Sequence, residues 1–95
     1  MKPRITINTN GDGELEISLN EAGRDLLVRE LQQLSQRSDH FHFGPEEFGG
    51  EVPVQTRAYR EGDRIIEWGK VMLRPDEWDA RYYPHVLDDP EPPAS

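Results

Sequence analysis

Two histidines in the middle of the chain, His40 and His42, have the clearest chemical potential. On a β-strand their i,i+2 spacing places both imidazoles on one face, where they could share a metal ion. A metal site needs at least a third ligand, and the spacing selects none of the available donors His85, Asp39, Glu46 and Glu47. We therefore predict no metal site and no cofactor. A small metal- or ligand-binding domain that uses this strand face is the alternative interpretation.

Catalytic motifs do not accompany these histidines. His42 could form an acid/base pair with Asp39 or Glu46, but such pairs arise by chance in a chain with 19 Asp and Glu residues. The sequence has no cysteine nucleophile, no G-x-S-x-G motif and no glycine-rich loop that could hold a phosphate. We predict that the protein is not an enzyme.

The residues around the histidines indicate a surface for binding another molecule. The period of two predicts that Phe41 and Phe43 are buried while the two histidines are at least partly exposed. A Gly-Pro step ends the strand, and Gly49-Gly50 loosens the loop that follows. Trp78, which is surrounded by acids, is a second candidate because buried tryptophans dominate interface energies. The predicted partner-binding residues are Asp39, His40, His42, Glu46, Glu47, Phe48, Glu51 and Trp78.

Composition and charge narrow the class of partner. The 95 residues carry a net charge of −8, and only 34% of them are hydrophobic. A negative field repels nucleic acid, whose binding depends on Lys and Arg, and it favours a basic protein partner. No apolar run is long enough to span a membrane or to serve as a signal peptide, and there is no cysteine. We expect a cytoplasmic protein that binds neither nucleic acid nor membrane.

The elements that would hold these residues are predicted from local patterns. Alternating residues in segments 5–7 and 15–19 flank Asn10-Gly11-Asp12-Gly13, which is typical of a β-hairpin. Apolar residues at three- and four-residue steps predict a helix over 20–36, capped by Asn20 or by a Ser18/Glu21 box. Strands are predicted at 39–43, at 52–57 on a sheet edge because of Pro53, and at 64–74 with Trp68 in the core.

These elements predict an α+β fold in which a single helix packs on a mainly antiparallel sheet of four to five strands. Residues 75–78 read as a short terminal turn or helix that begins at Pro75. We expect residues 1–86 to form one domain and residues 87–95, an acidic segment rich in proline, to be disordered.

The order of elements also resembles a known family. The acidic I-x-I…G-x-G-E-L-E-I opening, the leucine-rich helix, and the D-H-x-H strand followed by an aromatic residue and Gly-Gly are similar to the Imm32 family, over roughly residues 4–73. Members of that family are small immunity proteins encoded beside bacterial polymorphic toxins. The resemblance implies that the chain binds and neutralises a cognate protein toxin. A plain interaction module in another pathway is a further alternative. Neither the oligomeric state nor the toxin's activity follows from these residues.

Overall fold

The computed structural model describes residues 1–87 and has an α+β architecture. In chain order the elements are β1 (Ile5–Thr9), β2 (Leu15–Leu19), α1 (Glu21–Gln32), β3 (His40–Pro45), a 3-10 turn (Glu46–Phe48), β4 (Val52–Val54), β5 (Arg64–Ile65), β6 (Gly69–Met72), α2 (Asp76–Tyr82) and a second 3-10 turn (Pro84–Val86). The α+β class is confirmed. The expectation of a single helix is wrong, because the segment after Pro75 forms a second helix.

The six strands form two three-stranded sheets rather than one sheet of four to five strands. Their orders are β2-β1-β5 and β4-β3-β6, and every pairing is antiparallel except that of β3 with β4. Two main-chain hydrogen bonds join β1 to segments from the second half of the chain. Gln55 N–H donates to Ile5 O, and Ile66 N–H donates to Ile7 O, both at 2.8 Å. Gln55 directly follows β4, so the two sheets meet along β1.

The predicted strand at 64–74 is divided between the two sheets. Residues 64–65 pair with β1, whereas residues 69–72 pair with β3. The segment between them crosses from one sheet to the other, so Trp68 lies outside the core and is 58% exposed. The prediction that Trp68 is a core residue is therefore wrong. An apolar run indicates a strand, but it does not indicate that the strand changes sheets.

Local hydrogen bonds set both the turn of the opening hairpin and the start of α1. The Asn10 side chain accepts hydrogen bonds from the N–H groups of Asp12 and Glu14, which closes the turn. Asn20 caps α1 by accepting from Gly23 N–H at 2.7 Å, so the Asn20 alternative is confirmed. The helix ends at Gln32 instead of residue 36. Ser35 and Ser38 bond to each other there and compete with the helical ladder.

The core is small and lies between α1 and the junction of the sheets. Its buried apolar residues are Ile5, Ile7, Phe41, Val52 and Val54, and leucines of α1 pack against them. Phe41 is confirmed as buried. Phe43 is half-buried, and its ring lies across Gly69 on β6, where a Cβ atom would overlap it. The 1–86 domain limit stays a prediction, and residues 88–95 of the predicted disordered tail lie outside the described residues.

Candidate partner-binding surface

Strand β3 places its two histidines on the outer face of the second sheet. The antiparallel register sets His40 opposite Met72 and His42 opposite Lys70, so these four side chains share the face away from Phe41. Both histidines are exposed, as predicted, and their rings meet edge to face with centroids 5.0 Å apart. We call this surface the histidine face.

Each histidine has an acidic neighbour. Asp39 Oδ1 lies 2.9 Å from His40 Nδ1, and this hydrogen bond, aided by the charge of Arg74, lowers the pKa of Asp39. Glu51 Oε1 accepts from the main-chain N–H of His42 at 2.7 Å and lies 3.8 Å from its Nδ1. The main-chain bond fixes Glu51 at the start of β4. Both carboxylates therefore stay beside the imidazoles at the rim of the histidine face.

An exposed aromatic pair adjoins the histidine face. Phe48, on the first 3-10 turn, and Trp68, on the segment between the sheets, pack with ring centroids 4.9 Å apart. They are 65% and 58% exposed. The Trp68 ring also covers Gly44, where a Cβ atom would lie 3.1 Å from it. The pair lines an open groove of about 460 Å³ together with His42, so aromatic and titratable groups occur side by side.

Two of the predicted residues lie on a different surface. Glu46 forms an ion pair with Lys2 at 2.8 Å, and Glu46 and Glu47 line a broad groove of about 880 Å³ with Lys2, Arg4 and Arg57. The short turn after β3 thus directs its acids toward the N-terminus and its aromatic ring toward Trp68. Within residues 1–87 the structure divides the predicted acidic cluster instead of concentrating it.

Trp78 lies next to the histidine face, and Asp39 connects the two. It is half-buried on α2, where its ring contacts Tyr82 and Tyr83 at centroid distances of 4.7 and 5.5 Å, and the Arg74 guanidinium lies 4.2 Å above it. Trp78 and Asp39 line one groove of about 340 Å³. The packed rings and the cation hold Trp78 in place, which suits an anchor that loses little entropy on binding.

Sequence reasoning missed Trp68 and Lys70 as members of this surface. The apolar neighbours of Trp68 in the sequence predict a core position for it. A usable signal was Gly44, because a glycine on the same face as His40 and His42 leaves room for a large ring from a neighbouring segment.

The described residues give no support to a metal centre or a membrane segment. In residues 1–87 no group of three or more His, Asp or Glu side chains is placed to hold a metal ion. Over the same residues, neither helix has the length and apolar character needed to cross a bilayer. The His40/His42 pair therefore offers two imidazoles with one acidic neighbour each.

Comparison with known proteins does not assign the chain to a family. No protein-family model matches it, and neither the curated proteins nor the solved structures give a significant match. The resemblance to the Imm32 family stays a prediction.

Proposed function

We propose that this chain is an immunity-type protein that binds and neutralises a cognate bacterial toxin by stoichiometric protein–protein inhibition. The observation that carries the proposal is the exposed pair Phe48 and Trp68, whose tilted rings pack on each other beside the histidine face. Exposed aromatic rings that already pack on one another lose little side-chain entropy when a partner covers them. Such rings supply most of the binding energy in many interfaces.

The net charge of the chain suits a basic partner. Asp39 and Glu51 flank the histidine face, which also carries Lys70, and the whole chain carries −8. Exposed charges at an interface rim mainly raise the association rate, and salt screens them over about 8–10 Å. Binding to the toxin should therefore slow as salt is added, while the dissociation rate changes little.

Inhibition by binding is tested by co-expressing the neighbouring toxin gene with and without this chain. The proposal expects the chain to prevent killing and Trp68→Ala to weaken that protection. Tyr59→Ala is the matched control, since Tyr59 is 59% exposed and lines a separate groove with Arg4 and Arg57. Equal killing with and without the chain would overturn the immunity function.

Binding kinetics distinguish the role of the aromatic anchors from the role of the acids. Removing an anchor such as Trp68 or Trp78 should raise the dissociation rate, and a true hot spot costs about 2 kcal/mol or more, roughly 30-fold in Kd. Reversing Glu46 and Glu47 to Lys should slow association without changing dissociation, because both acids lie off the aromatic groove. Surface plasmon resonance at two salt concentrations measures both rates.

A small metal- or ligand-binding domain is the second candidate. It is favoured by the 5.0 Å contact between the His40 and His42 rings and by their acidic neighbours. Calorimetric titration with zinc tests it, using a His40→Gln/His42→Gln variant as the control. Tight stoichiometric binding that this variant abolishes would rank metal binding above toxin inhibition.

A further inference from the structure

Strand β2 has an unpaired edge whose apolar side chains face solvent. Leu15, Ile17 and Leu19 are 57%, 51% and 40% exposed, although they alternate like core residues. They share the helix-bearing face of the sheet, because Ile5 contacts Gly23 of α1 and pairs directly with Leu19. Within residues 1–87, no strand pairs with the outer side of β2.

The main-chain groups of the same residues point outward. Ile5 O and Ile7 O accept hydrogen bonds from Gln55 and Ile66, on the side of β1 away from β2. Antiparallel pairs alternate between bonded and non-bonded, so Leu19 and Ile17, opposite Ile5 and Ile7, direct their own N–H and C=O groups away from β1. This edge offers both a hydrogen-bonding ladder and an apolar face.

Most of the common protections of an exposed edge are missing here, and the one charged side chain of the strand, Glu16, is paired with Arg60. The segment Leu15–Leu19 contains no proline and no lysine, and its register with β1 has no bulge. Proteins that remain monomeric usually protect a flat apolar edge by one of these means. An edge without them is typical of a strand that pairs with another chain.

We propose that β2 pairs with β2 of a second copy of this chain, antiparallel about a two-fold axis at Ile17. In that register Ile17 faces its own counterpart, Leu15 faces Leu19, and Glu16 faces Ser18, so apolar side chains meet and no like charges lie directly opposite. A register shifted by one residue pair, centred on Glu16, would set two carboxylates face to face. The strand is therefore complementary to itself in the register centred on Ile17.

The negative charge of Glu16 does not prevent the two copies of β2 from pairing. Its carboxylate accepts hydrogen bonds from Asn8 and Asn10 and pairs with Arg60, and these contacts lower the pKa of Glu16. The negative charge next to the two-fold axis is thus balanced within each copy, which reduces repulsion across the axis.

Helix α1 extends the same apolar surface. Glu30 and Gln33 line a groove with Phe41 of β3, so that flank of the helix faces β3. Val28 and Leu31 lie on the opposite flank and are each 45% exposed. A two-fold axis perpendicular to the sheet puts both helices on one face, where these flanks cover each other.

The first test is the mass of the full chain in solution, measured by light scattering over a range of concentrations. The proposal expects twice the mass of the chain, and a monomer at all concentrations would overturn it. Ile17→Lys should give a folded monomer, because Ile17 is half exposed. Val86→Lys, at 58% exposure on the last 3-10 turn, is the matched control and should leave the dimer intact.

The register is tested by cross-linking, which also serves if Ile17→Lys fails to fold. The native chain has no cysteine, so a single Ile17→Cys creates one thiol per copy. Directly opposed residues in a bonded pair have Cα atoms about 5.5 Å apart, a distance that a disulfide spans. Leu15→Cys is the control, since its counterpart lies beyond reach. Equal cross-linking at both positions would contradict the register.

Salt distinguishes this interface from the toxin surface. Two copies that each carry −8 repel one another at long range, so added salt should strengthen dimerisation, whereas it should slow binding to a basic toxin. A dimer that weakened with salt would overturn the β2 interface. Toxin protection by monomeric Ile17→Lys is a separate measurement, so either proposal can fail without the other.

Discussion

Gly23 lies so close to β1 that we predict a loss of stability for Gly23→Ala, although alanine is the better helix former. A Cβ atom at this position would lie 2.5 Å from Arg4 O and 2.9 Å from Ile5 Cγ1. Arg4 O belongs to the main chain and accepts from Asn20 N–H at 3.1 Å. A main-chain oxygen held in this way cannot rotate aside as a flexible side chain would.

Opposing contributions determine how Gly23→Ala changes the free energy of unfolding. Intrinsic propensity favours alanine over glycine by about 1 kcal/mol in a helix interior. Ordinary contact begins at 3.4 Å, so α1 must withdraw by about 1 Å. That movement stretches the cap formed by Asn20 Oδ1, which accepts from Gly23 N–H at 2.7 Å and from Arg4 N–H at 2.9 Å. Overpacking costs about 1–3 kcal/mol and a weakened cap about 1 kcal/mol, so the net loss is about 1–3 kcal/mol.

Urea unfolding followed by far-ultraviolet circular dichroism measures this loss as a lower midpoint at unchanged slope. Gly11→Ala is the matched control. No atom lies within 4 Å of its Cβ position and its φ is not positive, so its free energy of unfolding should change by less than about 0.5 kcal/mol. A Gly23→Ala variant as stable as the native chain, or more stable, would refute the close-packing argument.

Three further predictions concern stability. Phe41→Ala should lower the free energy of unfolding by about 3–5 kcal/mol because the ring is buried, whereas Phe48→Ala should change it by less than about 0.5 kcal/mol; urea titration compares the two. Excess chelator should leave Tm unchanged, since an apolar core drives folding, and unfolding on chelation would contradict this. The hydrogen bond from the Asn8 side chain is the main contribution that lowers the pKa of Glu16 in the folded chain below its ordinary 4.5. The stability that this carboxylate contributes is therefore complete above that pH and is lost as the pH falls through the lowered pKa. Glu16→Gln should therefore flatten the acid side of a plot of stability against pH, and an unchanged acid limb would count against it.

Features that depend on a few neighbouring residues were predictable. Asn10 and Asn20 bond to main-chain groups within four residues, so the hairpin turn and the start of α1 follow from the sequence. The alternation in β3 likewise predicts which face Phe41 and His42 occupy, because side-chain direction has a period of two in any strand.

Features set by distant segments were not predictable. Alternation gives Leu15 and Ile17 a common face, but it does not tell whether another element covers that face. Trp68 is exposed because the strand pairings of its neighbours belong to different sheets. The candidate site is likewise predictable only in part, because some of its contacts join distant segments. The contacts of Asp39 and Glu51 with β3 are short-range, whereas the Phe48–Trp68 pair joins segments far apart in the chain.

The two edges of β1 are completed at different times during synthesis. β2 follows β1 after a short turn, but Gln55 and Ile66, which bond to the other edge, come from the second half of the chain. Ribosomes add about 5–20 residues per second, so the hairpin and α1 emerge seconds before those partners. Distant contacts also form slowly because the intervening loop must close first. We therefore expect the nascent hairpin to be the stage most prone to aggregation and most dependent on chaperones.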